Sequence, residues 1–153
     1  MNSFMEKAKF SAEFGIEHNE GGPFGAIIVD KNNKIISIGN NKVLIDNDPT
    51  AHAEIVAIRN ACFSLKTYDL SECTLYTSCE PCPMCLSAII WANIKKVYYG
   101  CTRKDAADIG FRDDMIYEYL KGNKTDLLDI QEMDREDCLK VFEEYKKKNG
   151  VIY

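Results

Sequence analysis

Two segments of the 153-residue chain, His52-Ala53-Glu54 and, about thirty residues on, Pro81-Cys82-Pro83-Met84-Cys85, have residue types and spacing that could do chemistry. Cysteines three apart in the first turn of a helix project to one side, where free N–H groups and the helix dipole stabilise thiolates. Cys82 and Cys85 can therefore hold one metal ion, with His52 from a second helix start as a third ligand. Three such ligands leave the fourth tetrahedral position of Zn2+ open to water, the pattern of a catalytic zinc site. Two thiolates offset the charge of the ion and weaken its acidifying effect, so a general base is needed. Glu54, two residues beyond the histidine, is placed to move the protons. Residues two apart lie on different sides of an ideal helix, so His52 and Glu54 converge only if that turn points end-on at the metal.

Other chemistry competes for the same side chains. Cys79, Cys82 and Cys85 form a C-x-x-C-x-x-C run that could open an iron–sulfur site, but the fourth cysteine and its proline are absent. A structural zinc knot would want a fourth Cys or His, for which Cys101 is the convenient donor. Cys62, Cys73, Cys101 and Cys138 read as small core residues, and so does Cys79 unless it supports the metal loop.

The elements that must position these residues follow from periodicity and punctuation. Phe4, Ala8, Ala12 and Ile16 make the stripe of an amphipathic helix over Met1 to Glu17, closed by Gly21-Gly22-Pro23. Phe24 to Asp30 and Lys34 to Gly39 read as a hairpin around Lys31-Asn32-Asn33. A helix over Ala51 to Phe63 with Thr50 as N-cap, a strand over Thr74 to Thr77, a helix over Cys82 to Ala92 and a strand over Lys96 to Gly100 follow in alternation. Alternation implies a mostly parallel sheet covered on both faces. Asp114 to Lys121 reads as a helix, Leu128 to Gln131 as a weak fifth strand, and Arg135 to Asn149 as a helix capped by Asp134. The fold class is then α/β, a three-layer α/β/α sandwich on a five-stranded mixed sheet, in a single domain over residues 1–153.

Composition narrows the partners. A formal net charge of -5 gives no broad cationic field for a phosphate backbone, so nucleic acid is not the expected substrate. Apolar runs fall short of the roughly twenty residues that span a bilayer, so no membrane partner is expected. Seven cysteines with no export signal read as thiols in a reducing compartment, and the expected location is the cytoplasm.

H-x-E followed by P-C-x-x-C is the signature of zinc deaminases. The sequence resembles the cytidine-deaminase-fold superfamily, and within it the short bacterial guanine deaminases, through Gly21 to Ala26 (GGPFGA), Asn47 to Glu54 (NDPTAHAE), Leu75 to Cys85 (LYTSCEPCPMC) and Asp105 to Tyr119 (DAADIGFRDDMIYEY). The resemblance implies hydrolysis of guanine to xanthine and ammonia by a zinc-activated water, with one Zn2+ per chain and Glu54 as proton shuttle. It implies that Asn41 offers its amide to the base, that Phe24 packs on the ring, and that Asp113 accepts from the ring N–H groups that guanine has and adenine lacks. Backbone N–H groups near Ala53 and Cys82 would hold developing charge. It further implies a homodimer in which the C-terminal segment, residues 150–153, reaches the partner's site and Tyr153 covers the base. Local roles compete at several of these positions: Asn41 as a turn residue, Phe24 as core, Asp113 or Asp114 as a helix cap, and the tail as packing on its own chain. A guanosine deaminase and a tRNA adenosine deaminase are the enzymatic alternatives, and a zinc or iron–sulfur module the non-enzymatic one.

Overall fold

Asn2 starts the first helix, its side chain accepting from the backbone N–H groups of Phe4 and Met5. The computed structural model describes residues 1–153. Helix α1 (Ser3–Glu17) ends at His18, before the glycine pair, and buries Ala8, Ser11, Ala12 and Gly15, while Ile16 stays exposed. The hairpin forms as β1 (Gly25–Val29) and β2 (Ile35–Asn40), antiparallel. A single helical turn, α2 (Val43–Asp46), leads to α3 (Ala53–Leu65), then come β3 (Thr74–Cys79), α4 (Pro83–Trp91) and β4 (Lys96–Cys101).

The sheet has four strands in the order β2-β1-β3-β4. β1 pairs antiparallel with β2 and β3, and β3 pairs parallel with β4. β2, β3 and β4 therefore run in one direction, as alternation with helices predicts, but β1 sits between β2 and β3 and opposes both. Parallel pairing is confined to one ladder for that reason.

β1 is buried along its whole length because helices cover both of its faces. Ala26 and Ile28 pack with Ala53, Ala57 and Ala61 of α3 and Ile89 of α4, whereas Ile27 and Val29 pack with Ala8 of α1. Period-two alternation thus feeds two cores from one strand and makes the three-layer α/β/α arrangement. Small residues let the layers close: a Cβ on Gly25 would overlap the backbone of Ala8 and Ala12, and one on Gly39 the backbone of Ala53 and Ala57.

The chain divides into two compact units, Met1–Tyr117 and Glu118–Tyr153. In the first, α5 (Arg103–Asp108) begins with a capping box between Thr102 and Asp105 that the sequence reading passed over. α6 (Asp113–Leu120) follows it, and the division between the units falls within this helix. In the second, α7 (Arg135–Lys147) carries Glu136 and Asp137 in its first turn and Lys146 and Lys147 in its last, which complements the helix dipole.

Two expectations fail in this second unit. Leu128 to Gln131 forms no strand; Leu128 is extended at φ -134° and ψ 142°, yet all four residues are exposed and join no ladder. Extended backbone becomes a strand only when a partner takes its N–H and C=O groups. Asp134 precedes α7 as expected but is left-handed, φ 53°, and its side chain makes no capping hydrogen bond. No helix is long and apolar enough to cross a membrane.

Candidate active site

His52 is the N-cap of α3, displacing Thr50 from the role expected of it, and its extended backbone, φ -68° and ψ 157°, turns the chain into the helix. Thr50 instead donates its backbone N–H and its hydroxyl to Asp48. Cys82 is the N-cap of α4, with Pro83 opening the helix, and its sulfur accepts from the Cys85 N–H. Two helix starts therefore face each other. His52 Nδ1 lies 3.5 Å from Cys82 Sγ and 3.5 Å from Cys85 Sγ, and the three ligand atoms lie within 4.8 Å of one another.

These distances fit a metal. Zn–S near 2.3 Å and Zn–N near 2.1 Å at a tetrahedral angle would separate N from S by about 3.6 Å. The Cys82 thiol is brought down to about 4, chiefly by the hydrogen bond from Cys85 and further by His52, while donation to Cys82 pushes Cys85 up. A thiolate is thus already stabilised where a soft cation would sit. His52 is held above the usual imidazole value, first by its bond to Cys82.

Glu54 is buried in the first turn of α3, its Oε1 accepting from the Thr77 hydroxyl at 3.0 Å. Burial raises its carboxyl pKa, the direction that suits a proton carrier. The doubt about residues two apart is resolved by capping: His52 has left the helix, so it and Glu54 need not share a helical face. Thr77 was not foreseen. Its signal was available, since β3 alternates and places Leu75, Thr77 and Cys79 inward, leaving one hydroxyl among apolar neighbours.

His52, Cys82 and Glu54 open on a cavity of about 440 Å3, which also has Phe24, Asn41 and Asp113 in its wall. That volume lies within the roughly 300–1,000 Å3 of small-molecule sites. Phe24 meets Phe111 edge-on at 4.8 Å between ring centroids and packs on the core while also lining the cavity. Asp113, half-buried in the first turn of α6, has its carboxyl raised by burial and then by the nearby Cys82 thiolate.

Asn41 departs from expectation in one respect. Its Oδ1 accepts from Gly22 N–H at 3.2 Å and Val43 N–H at 3.1 Å, so the oxygen is committed to the backbone. The amide can offer the cavity a donor but not the donor–acceptor pair expected of it. Ala53 has its side chain in the core, which leaves its backbone N–H, unpaired by helix geometry in the first turn, as the group available to a ligand. Tyr153 belongs to the second unit and is 72% exposed.

Other thiols depart from the core reading: Cys73 is buried, but Cys101 and Cys138 are exposed, at the end of an edge strand and on the charged α7. Cys79 is buried beside the cavity, donates to the Thr102 carbonyl at 3.7 Å, and is pushed up to about 12 by burial. It lies outside the cluster formed by His52, Cys82 and Cys85.

Residues 1–101 match the family described as the cytidine and deoxycytidylate deaminase zinc-binding region. The chain belongs to this deaminase family. Among its relatives, guanine deaminase of Bacillus subtilis (strain 168) is 53% identical over 116 residues, covering 76% of this chain and 74% of that protein. The solved structure of guanine deaminase from Bacillus subtilis superposes with a TM-score of 0.89 at 43% identity, over 96% of this chain and 95% of that one. A tRNA-specific adenosine deaminase of Buchnera aphidicola subsp. Schizaphis graminum (strain Sg) is 36% identical over 146 residues, covering 95% of this chain and 94% of that protein. This deaminase is a zinc-dependent hydrolase, and the His52, Cys82 and Cys85 cluster can hold one Zn2+ per chain.

The loop that carries Cys82 has support the sequence did not reveal. Glu80 accepts from the Arg103 N–H at 2.9 Å, the Tyr117 hydroxyl donates to the Pro81 carbonyl at 3.4 Å, and the Arg103 guanidinium lies 4.2 Å over the Tyr117 ring.

Proposed function

We propose that this deaminase hydrolyses guanine to xanthine and ammonia. The observation that carries the reading is the presence of Asp113 and Asn41 in one cavity wall with His52, Cys82 and Glu54. An ionised carboxylate only accepts, and the Asn41 amide, its oxygen already occupied, only donates. A base that satisfies both must present N–H groups on one edge and acceptors on another. Guanine does so, with N–H at ring position 1 and on its amino group, and acceptors at its carbonyl oxygen and N7. Adenine has no N–H at ring position 1 and would leave the carboxylate short of a partner. The guanine deaminase relatives support the same substrate.

His52, Cys82 and Cys85 would hold a zinc ion, which would supply Lewis-acid activation of a water. Glu54 would take one proton from the attacking water and pass it to a ring nitrogen as the oxygen bonds to carbon 2, then carry the second proton, from the hydroxyl now on carbon 2, to the amino group as the C–N bond breaks and ammonia leaves. Thr77, hydrogen-bonded to Glu54, holds the carboxylate in place. Phe24 packs against the flat base, and the Ala53 N–H helps hold developing charge at the start of α3.

Ammonia release from guanine, guanosine, adenine, cytosine and tRNA tests the reading, with guanine the substrate expected. Preference for tRNA would favour the second reading, to which the 36% identical relative points, although a net charge of -5 argues against a phosphate backbone. The proposal includes a homodimer in which residues 150–153 of one chain cap the partner's site, residues 1–153 serving as one deaminase domain. Its seven free thiols fit the cytoplasm.

A further inference from the structure

We infer that Glu20 is a positioning residue for base recognition, acting through Asn41. Glu20 follows the end of α1 and touches the base-reading loop at three levels. Its Oε2 accepts from Asn40 Nδ2 at 2.6 Å and pairs with Lys42 Nζ at 3.4 Å, and its carbonyl accepts from both Leu44 N–H and Ile45 N–H at 3.0 Å. The residues on either side of Asn41, and the turn of α2 after it, are thereby tied to one glutamate. Asn40 in turn donates to the Asn41 carbonyl at 3.2 Å.

The glycine pair beside Glu20 completes the clamp. Gly22 N–H donates to Asn41 Oδ1, and a Cβ on Gly21 would overlap that same oxygen. Asn41 is 3% exposed, so its amide plane is fixed by groups on both sides and one orientation survives, with the oxygen on the backbone and the NH2 left for the cavity. Lys42 N–H also donates to the Ala51 carbonyl at 2.9 Å, which joins the loop to the chain entering His52. Glu20 itself is not in the cavity wall. Its effect is on where the Asn41 donor points, and a misplacement of about 1 Å in a binding group can cost up to about a hundredfold.

The inference rests on the base-deaminase reading for its probes, so the parent protein is first given guanine, adenine and cytosine, and the rest is run on the base it converts. A parent that converts adenine alone overturns the guanine reading and leaves the Glu20 test standing; a parent that converts none overturns both. Glu20→Ala is expected to raise KM about tenfold with kcat within about threefold and one zinc per chain retained. Glu20→Gln, which keeps an acceptor for Asn40, should keep KM within about threefold. With guanine as substrate, Glu20→Ala should weaken equilibrium binding of hypoxanthine, which has the same edges without the amino group, by the same factor as KM. In an Asn41→Ala background, Glu20→Ala should add no further loss, because the group it positions is gone. Equal losses in both backgrounds, or parent KM in Glu20→Ala, overturn the inference. Should Glu20→Ala fail to fold, Glu20→Asp takes its place: a side chain one carbon shorter withdraws the carboxylate from Asn40 and predicts a KM rise in the same direction, and a parent KM there overturns the inference.

Discussion

Glu54 shows how one side chain takes its role from its surroundings. Burial raises its proton affinity, against the opposing pull of the hydrogen bond from the Thr77 hydroxyl, and the capping position of His52 brings the two side chains together. Glu54→Gln keeps size and one acceptor but cannot carry a proton. It is expected to lower kcat about a hundredfold or more while metal analysis still finds one zinc per chain; near-parent turnover in the zinc-loaded variant would remove Glu54 from the chemistry. Asp113→Asn bears on selectivity. It replaces one acceptor oxygen with a donor facing ring N–H groups, so kcat/KM for guanine should fall by about tenfold or more with zinc content unchanged. Parent-like guanine kinetics would reduce Asp113 to the first-turn helix residue that its position also allows.

Helix starts and the loops between them carry the site at the scale of elements. α3 and α4 each begin with a ligand as N-cap, so the donors and dipoles of two helices converge on one point. The loop between β2 and α2 brings Asn41 to the cavity, and its neighbours Asn40 and Lys42 bond to Glu20, whose own carboxyl lies below its usual value, first through its hydrogen bond from Asn40 and, among charged groups, through Lys42 and then His18. A depressed folded-state pKa stabilises the fold above the unfolded value near 4.5, and the gain is lost as pH falls through the folded value. The melting temperature of the parent should therefore exceed that of Glu20→Gln at pH 7, with the gap closing as the pH falls below 4.5 and through the folded value. A gap that persists unchanged into that acid range would show that the charge on Glu20 contributes nothing.

For the whole molecule, the second unit, Glu118–Tyr153, carries an exposed apolar tail. Val151, Ile152 and Tyr153 end the chain exposed, beside a Tyr145 hydroxyl that donates to the Val151 carbonyl at 2.6 Å. Apolar residues at a terminus are expected to be tied down when they are ordered. Deleting Gly150 to Tyr153 is expected to abolish most guanine turnover while zinc content and melting temperature stay at parent values, as a cap on a partner's site requires. Normal turnover in the truncated protein rules the cap out, and early melting assigns the tail to packing on its own chain. Sedimentation of the full-length protein should show a dimer if the cap is exchanged between copies.

The metal-ligand cluster, the place of Glu54 beside it and the order of helices and strands through β4, apart from the short α2, were legible in the sequence, because ligand chemistry and periodicity are local properties of the chain. His52, Cys82 and Cys85 had to be near helix starts for their spacing to make sense, and they are. Only tertiary structure decided what depends on partners far away in sequence. It placed β1 between β2 and β3, and left the extended residues after Leu127 without a ladder. It brought Thr77 to Glu54 across 23 positions, and turned Asn41 into a donor by committing its oxygen to Gly22 and Val43. Hydrogen-bond orientation is set by whichever donors the fold delivers to an atom, and no pattern of residue types along one chain specifies them.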